Sequence, residues 1–427
     1  MTNQLELDFP THKPRTSGAA LPLEGIKVVD FTHFIAGPLA TMILADMGAE
    51  VIKIEAPGKG DDFRYYPPMI PEFGGGAPFV WTNRNKRSVG LDLKSKQGLE
   101  VTRQLVATAD VLVENFSTGV IERLGLGYDS FKGTNPRLVF CSVSAYGRNG
   151  AFSDRLGFDP IAQAESGFIS MNGYPDREGV RALSPVMDIS TAMMASNAIL
   201  GALLSRDRTG EGQHVEVALF DSAFMLTGYA AHQQIFTGKD SRRAANTSPD
   251  TCPSGVFKAA DNRSFLINCG NTQIFQRLVT QVVDLPHVAS HPAYATNKDR
   301  VAKREELFAL LQDVFSKQPW SFWQTRMRQA SVPCGELRTV GEAIRSLEAR
   351  EREIVTRIPH PQLGWIPNVA LPIRYSSTPL ADPRPAPRVG EHTEEVLSAW
   401  LGYDGDRYQQ LVEGGATGSP PARDAAS

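Results

Sequence analysis

The stretch 23–55 constrains the fold of this chain more than any other. Two short apolar runs, residues 26–31 and 51–54, are rich in β-branched side chains and bounded by turns, which predicts buried parallel strands. Between them, residues 38–47 carry apolar side chains at helical spacing, and Gly48 follows where such a helix would end. A strand, a helix and a strand within about thirty residues predict a right-handed βαβ unit.

The turn between the first strand and the helix, residues 32–38, is the first candidate binding feature. In a βαβ unit this turn lies at the carboxyl edge of the sheet, where open α/β sheets bind ligands, so the position predicts a nucleotide-like group. The turn lacks GxGxxG, which argues against a dinucleotide-dependent dehydrogenase. Glycines 74–76 are not followed by the Lys and Ser or Thr of a Walker-type phosphate loop. HExxH, GxSxG and CxxC are also absent from the sequence, so zinc proteases and serine hydrolases have no support.

The α/β alternation continues beyond this first unit. Strands that alternate with helices of about 10–15 residues indicate a parallel sheet covered on both faces. The predicted strands are residues 88–92, 111–113, 138–144 and 214–219, and the predicted helices are residues 97–109, 119–124, 190–206 and 222–236.

The length of the chain, 427 residues, exceeds the roughly 250–300 at which a single core stops growing, so two domains are expected. A polar stretch near residue 238 marks the boundary, and proline-rich residues near 359–388 predict an extended return connection. The predicted division is a disordered arm at 1–20, a large α/β domain at 21–237, a small α+β domain at 238–345, a return connection with the rest of the large domain at 346–412, and a disordered tail at 413–427.

The composition of the chain argues against several classes of protein. The net charge of −3 argues against a nucleic-acid binder, which is usually strongly basic. The sequence has no apolar run of the ~20 residues that a membrane span needs, and its N-terminus has no signal pattern. The cysteines have neither metal-ligand nor redox spacing, so we expect free thiols, no metal site and a cytoplasmic location. These cysteines are Cys141, Cys252, Cys269 and Cys334.

Two aspartates are candidate catalytic residues. Asp188 lies at the start of the long predicted helix and Asp159 at the start of another, and the simpler interpretation of each is an N-cap. The functional interpretation is that backbone N–H groups keep the Asp188 carboxylate ionised, so that it can act as a nucleophile. If the two side chains converge, Asp159 can assist as a second carboxyl group.

Three further features lie near the predicted ligand edge. His33 lies in the first strand-to-helix turn, where it is either a structural residue or a ligand contact. The basic loop 83–87 is either a solvated turn or a seat for phosphates. Asn115 and Phe116 end a predicted strand, where they either pack or offer an amide and an aromatic face to an adenine or a pantetheine amide.

Eight stretches of the chain resemble the family III CoA-transferases, which include formyl-CoA transferase, carnitine CoA-transferase and the related α-methylacyl-CoA racemases. They occur in the family's order between about residues 21 and 404. The stretches are LEGIKVVDFTHFIAGPLATMILADMGAEVIKIE, NRNKRSVGLDLKS, ADVLVENFSTGVIERLGLGYD, NPRLVFCSVSAYGRNG, GFDPIAQAESG, TGEGQHVEVALFD, VPCG and VGEHTEEVL.

The resemblance implies a reaction and a fold. The family's catalytic aspartate falls on Asp188, which would attack an acyl-CoA thioester to give a mixed anhydride and then an aspartyl-CoA thioester, with neither ATP nor metal. Asp159 matches an acidic position that supports the reaction. The implied fold is a large Rossmann-like domain, which contains a parallel sheet and is built from both chain ends, and a smaller α+β domain, in a homodimer of two interlocked subunits. CoA is then a substrate rather than a tightly bound cofactor, and the positions that match its contacts are His33, Phe34, Ile35, Ala36, Leu91, Lys94, Asn115, Phe116 and Arg123.

The departures from the family pattern bear on the substrate. Phe158 stands where the racemases carry a proton-shuttling histidine, so an acyl-CoA racemase is disfavoured. Ile35 and Ala56 replace a glutamine and an arginine of formyl-CoA transferase, and residues 240–275 lack its glycine run. We expect a CoA-transferase with a succinyl-CoA-like donor; a CoA-binding protein without catalysis is the remaining alternative. Four arginines either bind the distal carboxylate of a dicarboxylate acceptor or are solvated surface residues: Arg148, Arg155, Arg242 and Arg243.

Overall fold

A computed structural model of the chain describes residues 9–70, 75–360 and 363–418. Its strands are β1 (Lys27–Asp30), β2 (Glu50–Glu55), β3 (Met69–Ile70), β4 (Gly75–Gly76), β5 (Arg87–Gly90), β6 (Val111–Glu114), β7 (Val139–Ser144), β8 (His214–Ala218), β9 (Ser254–Lys258), β10 (Ser264–Asn268), β11 (Cys334–Glu336), β12 (Val355–His360) and β13 (Gly364–Val369).

The helices complete the element order. They are α1 (Ala36–Asp46), α2 (Ala77–Asn83), α3 (Lys96–Ala107), α4 (Val120–Arg123), α5 (Asp159–Glu165), α6 (Phe168–Met171), α7 (Val186–Thr209), α8 (Leu219–Met225), α9 (Tyr229–Thr237), α10 (Thr272–Arg277), α11 (Pro286–Ala289), α12 (Asn297–Ala302), α13 (Arg304–Phe315), α14 (Trp320–Gln329), α15 (Val340–Ile344), α16 (Leu347–Glu351), α17 (Thr393–Leu401) and α18 (Gly405–Glu413).

The chain divides into two compact units. The first comprises the described residues up to Phe168, Ala182–Gly228 and the described residues from Leu347 onward. The second comprises Ile169–Arg181 and Tyr229–Ser346. The second unit thus takes in an earlier segment that the predicted small domain, residues 238–345, does not contain.

A six-stranded parallel sheet forms the centre of the first unit, in the order β5-β2-β1-β6-β7-β8. Successive side chains of a strand point to opposite faces, and here both faces are apolar. On one face, Val29, Ile52 and Leu112 pack with α3 and α17; on the other, Val28 and Val51 pack with α1 and α7. The prediction of a parallel sheet covered on both faces is confirmed.

The predicted βαβ unit is present as β1, α1 and β2. Helix α1 begins at Ala36, two residues before the predicted start, and Gly48 follows its end with a φ of +99°. A Cβ at Gly48 would also lie 2.4 Å from the Cβ of Leu21, so glycine is required there for space as well as for backbone conformation.

The second unit has its own core. Strands β9, β10 and β11 form an antiparallel sheet, and helices pack on it around buried aromatic rings. The rings of Phe265 and Trp320 are stacked with their centroids 4.7 Å apart, and Phe257 and Phe265 both pack against Phe315. This unit matches an α+β architecture.

Several element boundaries differ from the predictions. The long helix α7 begins at Val186 rather than at residue 190, because Pro185 takes the N-cap position. The predicted helix 222–236 is two helices, α8 and α9, separated by Gly228 with a φ of +55°. The predicted extended connection 359–388 begins within the antiparallel hairpin of β12 and β13, in which His360 pairs with Gly364. Among the described residues, α7 is also the one helix long and apolar enough to cross a membrane, and half of its most apolar window is buried in the fold.

Part of the predicted N-terminal arm is ordered. Residues 1–8 lie outside the described residues, but Phe9 is buried and Thr11 forms a parallel bridge to Arg357. His12 Nε2 also lies 3.0 Å from the carboxylate of Asp382. The prediction of a disordered arm is therefore wrong for residues 9–20, because the arm pairs with a segment that is far away in sequence.

Part of the predicted C-terminal tail is ordered as well. Residues 419–427 lie outside the described residues, but Ala416 and Thr417 are buried. The Thr417 hydroxyl donates to the carbonyl of Gly90 at 2.6 Å, and the Gly90 N–H donates to the Thr393 hydroxyl at 3.0 Å. The end of the edge strand β5 is thus held by two threonines from the C-terminal part of the chain.

Candidate active site

Asp188 lies in the first turn of α7, at its third position. The predicted N-cap role is wrong, because Pro185 is the N-cap and Asp188 is already helical. The residue is half-buried, and across the described ranges its carboxylate has neither a hydrogen-bond donor nor a cation beside it. Asp188 therefore presents an unpaired carboxylate at a helix N-terminus.

Asp159 caps α7 from another helix. It is the first residue of α5, whose own N-cap is Phe158, so the predicted capping of its own helix is wrong. Instead, its Oδ2 accepts the backbone N–H groups of Met187 at 2.7 Å and Asp188 at 3.3 Å, and its Oδ1 accepts the Gln163 side-chain amide at 2.5 Å. The structure brings the two predicted catalytic aspartates together, and the cap that sequence reasoning assigned to Asp188 is supplied by Asp159.

The environment raises the pKa of Asp188 to about 7. Burial is the main cause, and the negative charge of Asp159 adds to it. The expectation that helix N–H groups keep Asp188 ionised is thus wrong, because Asp159 accepts those groups. A carboxylate with a pKa near neutrality is more basic than an ordinary aspartate, so once ionised it is a better nucleophile and base.

The turn that contains His33 and Phe34 is held by two polar side chains. The Asn115 side chain accepts the His33 N–H and donates to the His33 carbonyl, both at 2.9 Å. Phe34 has a φ of +65°, a left-handed conformation that side-chain-bearing residues rarely adopt. Its N–H donates to the buried carboxylate of Asp61 at 3.4 Å. The backbone of His33 thus uses one donor and one acceptor position of the Asn115 amide, and the contact of Asn115 with CoA stays a prediction.

Aromatic rings connect this turn to the two aspartates. The ring of Phe34 packs against Phe63, Tyr66 and Phe158, with centroids 5.7–6.1 Å apart. Phe158 directly precedes Asp159, whose carboxylate caps the helix that carries Asp188. The predicted binding turn and the predicted catalytic pair are therefore parts of one site in the first unit.

The other predicted CoA contacts vary in exposure. Ile35 is half-buried before α1, Ala36 begins that helix and is buried, and Phe116 packs against the His33 ring at 5.7 Å. Lys94 and Arg123 are exposed and available to a ligand. The side chain of Leu91 belongs to the hydrophobic core, so a ligand could contact only the backbone at that position.

Neither interpretation of the basic loop 83–87 is correct, because most of its side chains are buried in the fold. Arg84 forms an ion pair with Asp46 at 2.6 Å. The ammonium group of Lys86 lies 2.9 Å from Asp30 and also donates to the side chain of Asn83 at 2.8 Å. These cations hold helix α1 against the strands.

Sequence reasoning missed Asp61 and Lys53. Lys53 is fully buried in β2, and its ammonium group lies 3.0 Å from Asp61 Oδ2 and donates to the carbonyl of Thr32. Burial alone would raise the pKa of Asp61, but Lys53 and His33 hold that pKa well below its usual range. The available signal was the lysine inside the apolar strand VIKIE, because a buried lysine requires an acidic partner.

Most of the arginines that could bind the distal carboxylate of an acceptor already have hydrogen-bond or ion-pair partners within the protein. Arg148 forms a buried ion pair with Glu114, and Arg155 pairs with Glu165 on the surface. Arg243, in the second unit, donates to three backbone carbonyls. The described part of the chain contains no group of three or more His, Cys, Asp or Glu side chains that could hold a metal ion.

The sequence model of CoA-transferase family III matches residues 23–393. The chain belongs to this family. Membership confirms the resemblance read from the motifs and makes the protein a CoA-transferase, for which CoA thioesters are substrates.

The names of two curated relatives of this CoA-transferase contain dicarboxylates. Succinyl-CoA:glutarate CoA-transferase of Mus musculus is 33% identical over 392 residues, covering 92% of this chain and 89% of the mouse protein. Succinate–glutarate CoA-transferase of Agrobacterium fabrum is 35% identical over 396 residues, covering 92% and 97%. Among solved structures, a CAIB/BAIF family protein from Brucella suis is 33% identical with a TM-score of 0.79, covering 89% of this chain and 100% of that one.

Proposed function

We propose that this CoA-transferase moves CoA from a succinyl-CoA-like donor to a dicarboxylate acceptor through Asp188. The observation that carries the proposal is the Asp188 carboxylate itself, which has no neutralising partner among the described residues and a pKa raised to about 7. The names of the two relatives, which both contain succinate or succinyl-CoA together with glutarate, support the substrate class.

The first half of the reaction transfers CoA to the enzyme. An oxygen of Asp188 attacks the thioester carbonyl, the C–S bond breaks, and CoA leaves as a thiolate. The product is a mixed anhydride between Asp188 and the donor acid. The thiolate then attacks the Asp188 carbonyl carbon, which releases the donor carboxylate and leaves an aspartyl-CoA thioester.

The second half reverses these steps with the acceptor. Its carboxylate attacks the aspartyl thioester, releasing the thiolate and forming a second mixed anhydride. The thiolate attacks the acceptor carbonyl, which yields the new acyl-CoA and regenerates the Asp188 carboxylate. One thioester is exchanged for another, so the cycle consumes no ATP.

Asp159 supports this chemistry in two ways. Its hydrogen bonds to Met187 and Asp188 fix the first turn of α7, which sets the position of the nucleophile. Its negative charge also contributes to the raised pKa of Asp188, which strengthens the nucleophile. Asp159 thus acts as a positioning residue and as a source of electrostatic tuning.

The alternatives have weaker support. A racemase needs a proton-transfer group where Phe158 packs against Phe34, and a phenyl ring carries no transferable proton. In a binding protein without catalysis, Asp188 would serve only as a helix cap, but Asp159 already supplies that cap. The interlocked homodimer and the cytoplasmic location stay predictions, and sedimentation of the purified protein tests whether it is a dimer.

The decisive experiment is to trap the enzyme-bound thioester. The protein is incubated with succinyl-CoA without acceptor, digested, and analysed by mass spectrometry for a CoA adduct on the peptide that contains Asp188. With the acceptor glutarate labelled with ¹⁸O in its carboxylates, one labelled oxygen is expected to reach Asp188 and then the released succinate. An adduct on another residue, or no oxygen transfer, contradicts the mechanism.

The matched variants are Asp188→Ala and Asp221→Ala. Asp221 also lies in the first turn of a helix, α8, but is exposed, so its loss is expected to leave transfer unchanged. Asp188→Ala is expected to lower turnover by about 10³-fold or more while CoA binding persists, because the nucleophile of a covalent mechanism cannot be replaced by water at comparable rate. Near-normal turnover of Asp188→Ala would refute the proposal.

A further inference from the structure

A fully buried carboxylate that the reaction does not use lies beneath the His33 turn. Asp61 is in the loop after β2 and is 0% exposed. Its Oδ1 accepts the N–H groups of Phe63 at 2.9 Å and Phe34 at 3.4 Å, and its Oδ2 lies 3.0 Å from the ammonium group of Lys53. Asp61 therefore joins the turn to the central sheet.

Asp61 stabilises a backbone conformation that the turn would not otherwise keep. Phe34 has a φ of +65°, which costs free energy for any residue with a Cβ. The hydrogen bond from Phe34 to Asp61, together with the Asn115 bonds to the backbone of His33, fixes the dipeptide in this conformation. The turn is therefore shaped before any ligand arrives.

The same carboxylate orients the His33 ring. His33 Nδ1 lies 3.7 Å from Asp61 Oδ1, so the Nδ1 side of the ring faces the buried acid. The His33 side chain keeps 33% of its surface exposed. The ring thus has one nitrogen directed at the protein interior, and in the imidazolium form its Nε2–H is left to donate to an anionic group of a ligand.

The charge of Asp61 is maintained by its surroundings. Lys53 and His33 hold the pKa of Asp61 far below its usual range despite burial. Lys53 is itself fixed by its bond to the Thr32 carbonyl, one residue before His33. The ion pair of Lys53 and Asp61 thus contacts the turn at two residues, Thr32 and Phe34.

We propose that Asp61 is a positioning residue for CoA, which holds the His33–Phe34 turn in its binding conformation and directs His33 Nε2 toward the phosphates of CoA. This inference rests on the proposed function to the extent that the turn binds CoA. It does not depend on the identity of the nucleophile.

The test measures CoA binding by calorimetry and the KM for succinyl-CoA. Asp61→Asn keeps the size and an acceptor oxygen but removes the charge, and we expect CoA to bind about tenfold more weakly, as when one charge-assisted hydrogen bond is lost. The KM for succinyl-CoA should rise as CoA binding weakens, whereas kcat should change less. The control is Asp62→Asn, an exposed neighbour whose partner is Lys59. It is expected to bind CoA normally.

A second variant addresses folding. Because Asp61→Asn leaves Lys53 without its nearest acid, the double variant Lys53→Met/Asp61→Asn removes both charges and is expected to show the same binding defect with a native circular dichroism spectrum. His33→Ala provides the coupling test. Combined with Asp61→Asn, it should weaken binding by less than the product of the single effects, because both changes act on one ring.

The outcomes separate this inference from the proposed function. Normal CoA affinity in folded Asp61→Asn, or effects of Asp61→Asn and His33→Ala that multiply fully, would overturn the positioning role. Failure to trap a thioester on Asp188, with CoA affinity still sensitive to Asp61, would instead refute the proposed function and leave the positioning role intact.

Discussion

Two groups of buried or half-buried carboxylates in the first unit have opposite electrostatics. Near β1 and β2, Asp30 pairs with Lys86, Glu55 with Arg64 and Asp61 with Lys53. At the start of α7, Asp159 and Asp188 lie together with no basic side chain paired to either among the described residues. Both groups are largely removed from solvent, and they differ in the charge of their neighbours.

The carboxylates that are paired with cations therefore belong to the framework of the fold, and the unpaired one is reactive. Burial tends to raise the pKa of every one of these acids, but the cations reverse that effect for Asp30, Glu55 and Asp61, whose pKa values are lowered. The pKa of Asp188 rises to about 7 because no cation opposes burial. A neutralised carboxylate stabilises the fold, and an unneutralised one is available for chemistry.

The largest expected effect comes from breaking a framework pair. Arg64 donates to both oxygens of Glu55, at 2.9 and 2.7 Å. Arg64→Met leaves Glu55 as an unpaired buried charge and is expected to lower the free energy of unfolding by about 3–5 kcal/mol. Thermal denaturation followed by circular dichroism measures the loss. Arg155→Met, which removes an exposed pair, should leave the midpoint nearly unchanged, and equal losses in the two variants would contradict the comparison.

A substitution in the catalytic pair is expected to raise the free energy of unfolding rather than lower it. The folded-state pKa of Asp188 is raised to about 7 from an ordinary value near 3.8, so the folded state binds this proton more tightly than the unfolded state. The corresponding stability is fully present below about pH 4 and is lost as the pH rises through about 7. Asp188→Asn cannot ionise and should therefore be more stable than the wild type at pH 8, by on the order of 2–4 kcal/mol.

Urea denaturation of the two proteins at pH 8 and pH 4 measures this difference. The gain should shrink at pH 4, where the wild-type Asp188 is protonated in the folded state and already partly protonated in the unfolded state. A variant that is less stable than the wild type at pH 8 would show that Asp188 has a stabilising partner, and the contrast between the two groups would fail.

The smallest expected effect tests what raises the pKa of Asp188. Asp159→Asn removes the neighbouring negative charge and keeps an oxygen that can cap α7. Asp188 must be ionised to attack, so kcat/KM of the wild type should rise with pH through about 7. In Asp159→Asn this rise of kcat/KM should occur at lower pH. It should still occur above the pH at which an ordinary aspartate ionises, because burial, the larger cause of the raised pKa, remains. A rise at the same pH as in the wild type would mean that Asp159 does not act on the charge of Asp188.

Local signals in the sequence predicted much of the first unit. The βαβ unit at residues 23–55 is present, and Ser95 caps α3 by accepting the Gly98 N–H at 2.9 Å, because such features depend on residues close together in the chain. The basic loop 83–87 was misjudged because its partners Asp30 and Asp46 lie about 40–60 residues away. Sequence spacing does not tell a buried ion pair from a solvated one.

The same limit applies to the site. Family motifs pointed to Asp188 and Asp159, but each was expected to cap its own helix. In the structure Asp159 caps the helix of Asp188 across 28 residues of chain, and Asp61 reaches the N–H of Phe34 across 27 residues. These contacts are set by the packing of separate elements on the sheet, so no local pattern contains them.

The two threonines that hold Gly90 have a consequence for synthesis. Strand β5 is an edge strand, and its last residue is completed by Thr393 and by Thr417, which follows 327 residues later. At about 5–20 residues per second, a ribosome adds Thr417 roughly 15–65 s after Gly90. During that interval the nascent chain carries an unfinished sheet edge, a template for pairing with other chains. The time needed to translate Thr393 and Thr417 therefore sets how long β5 must be shielded.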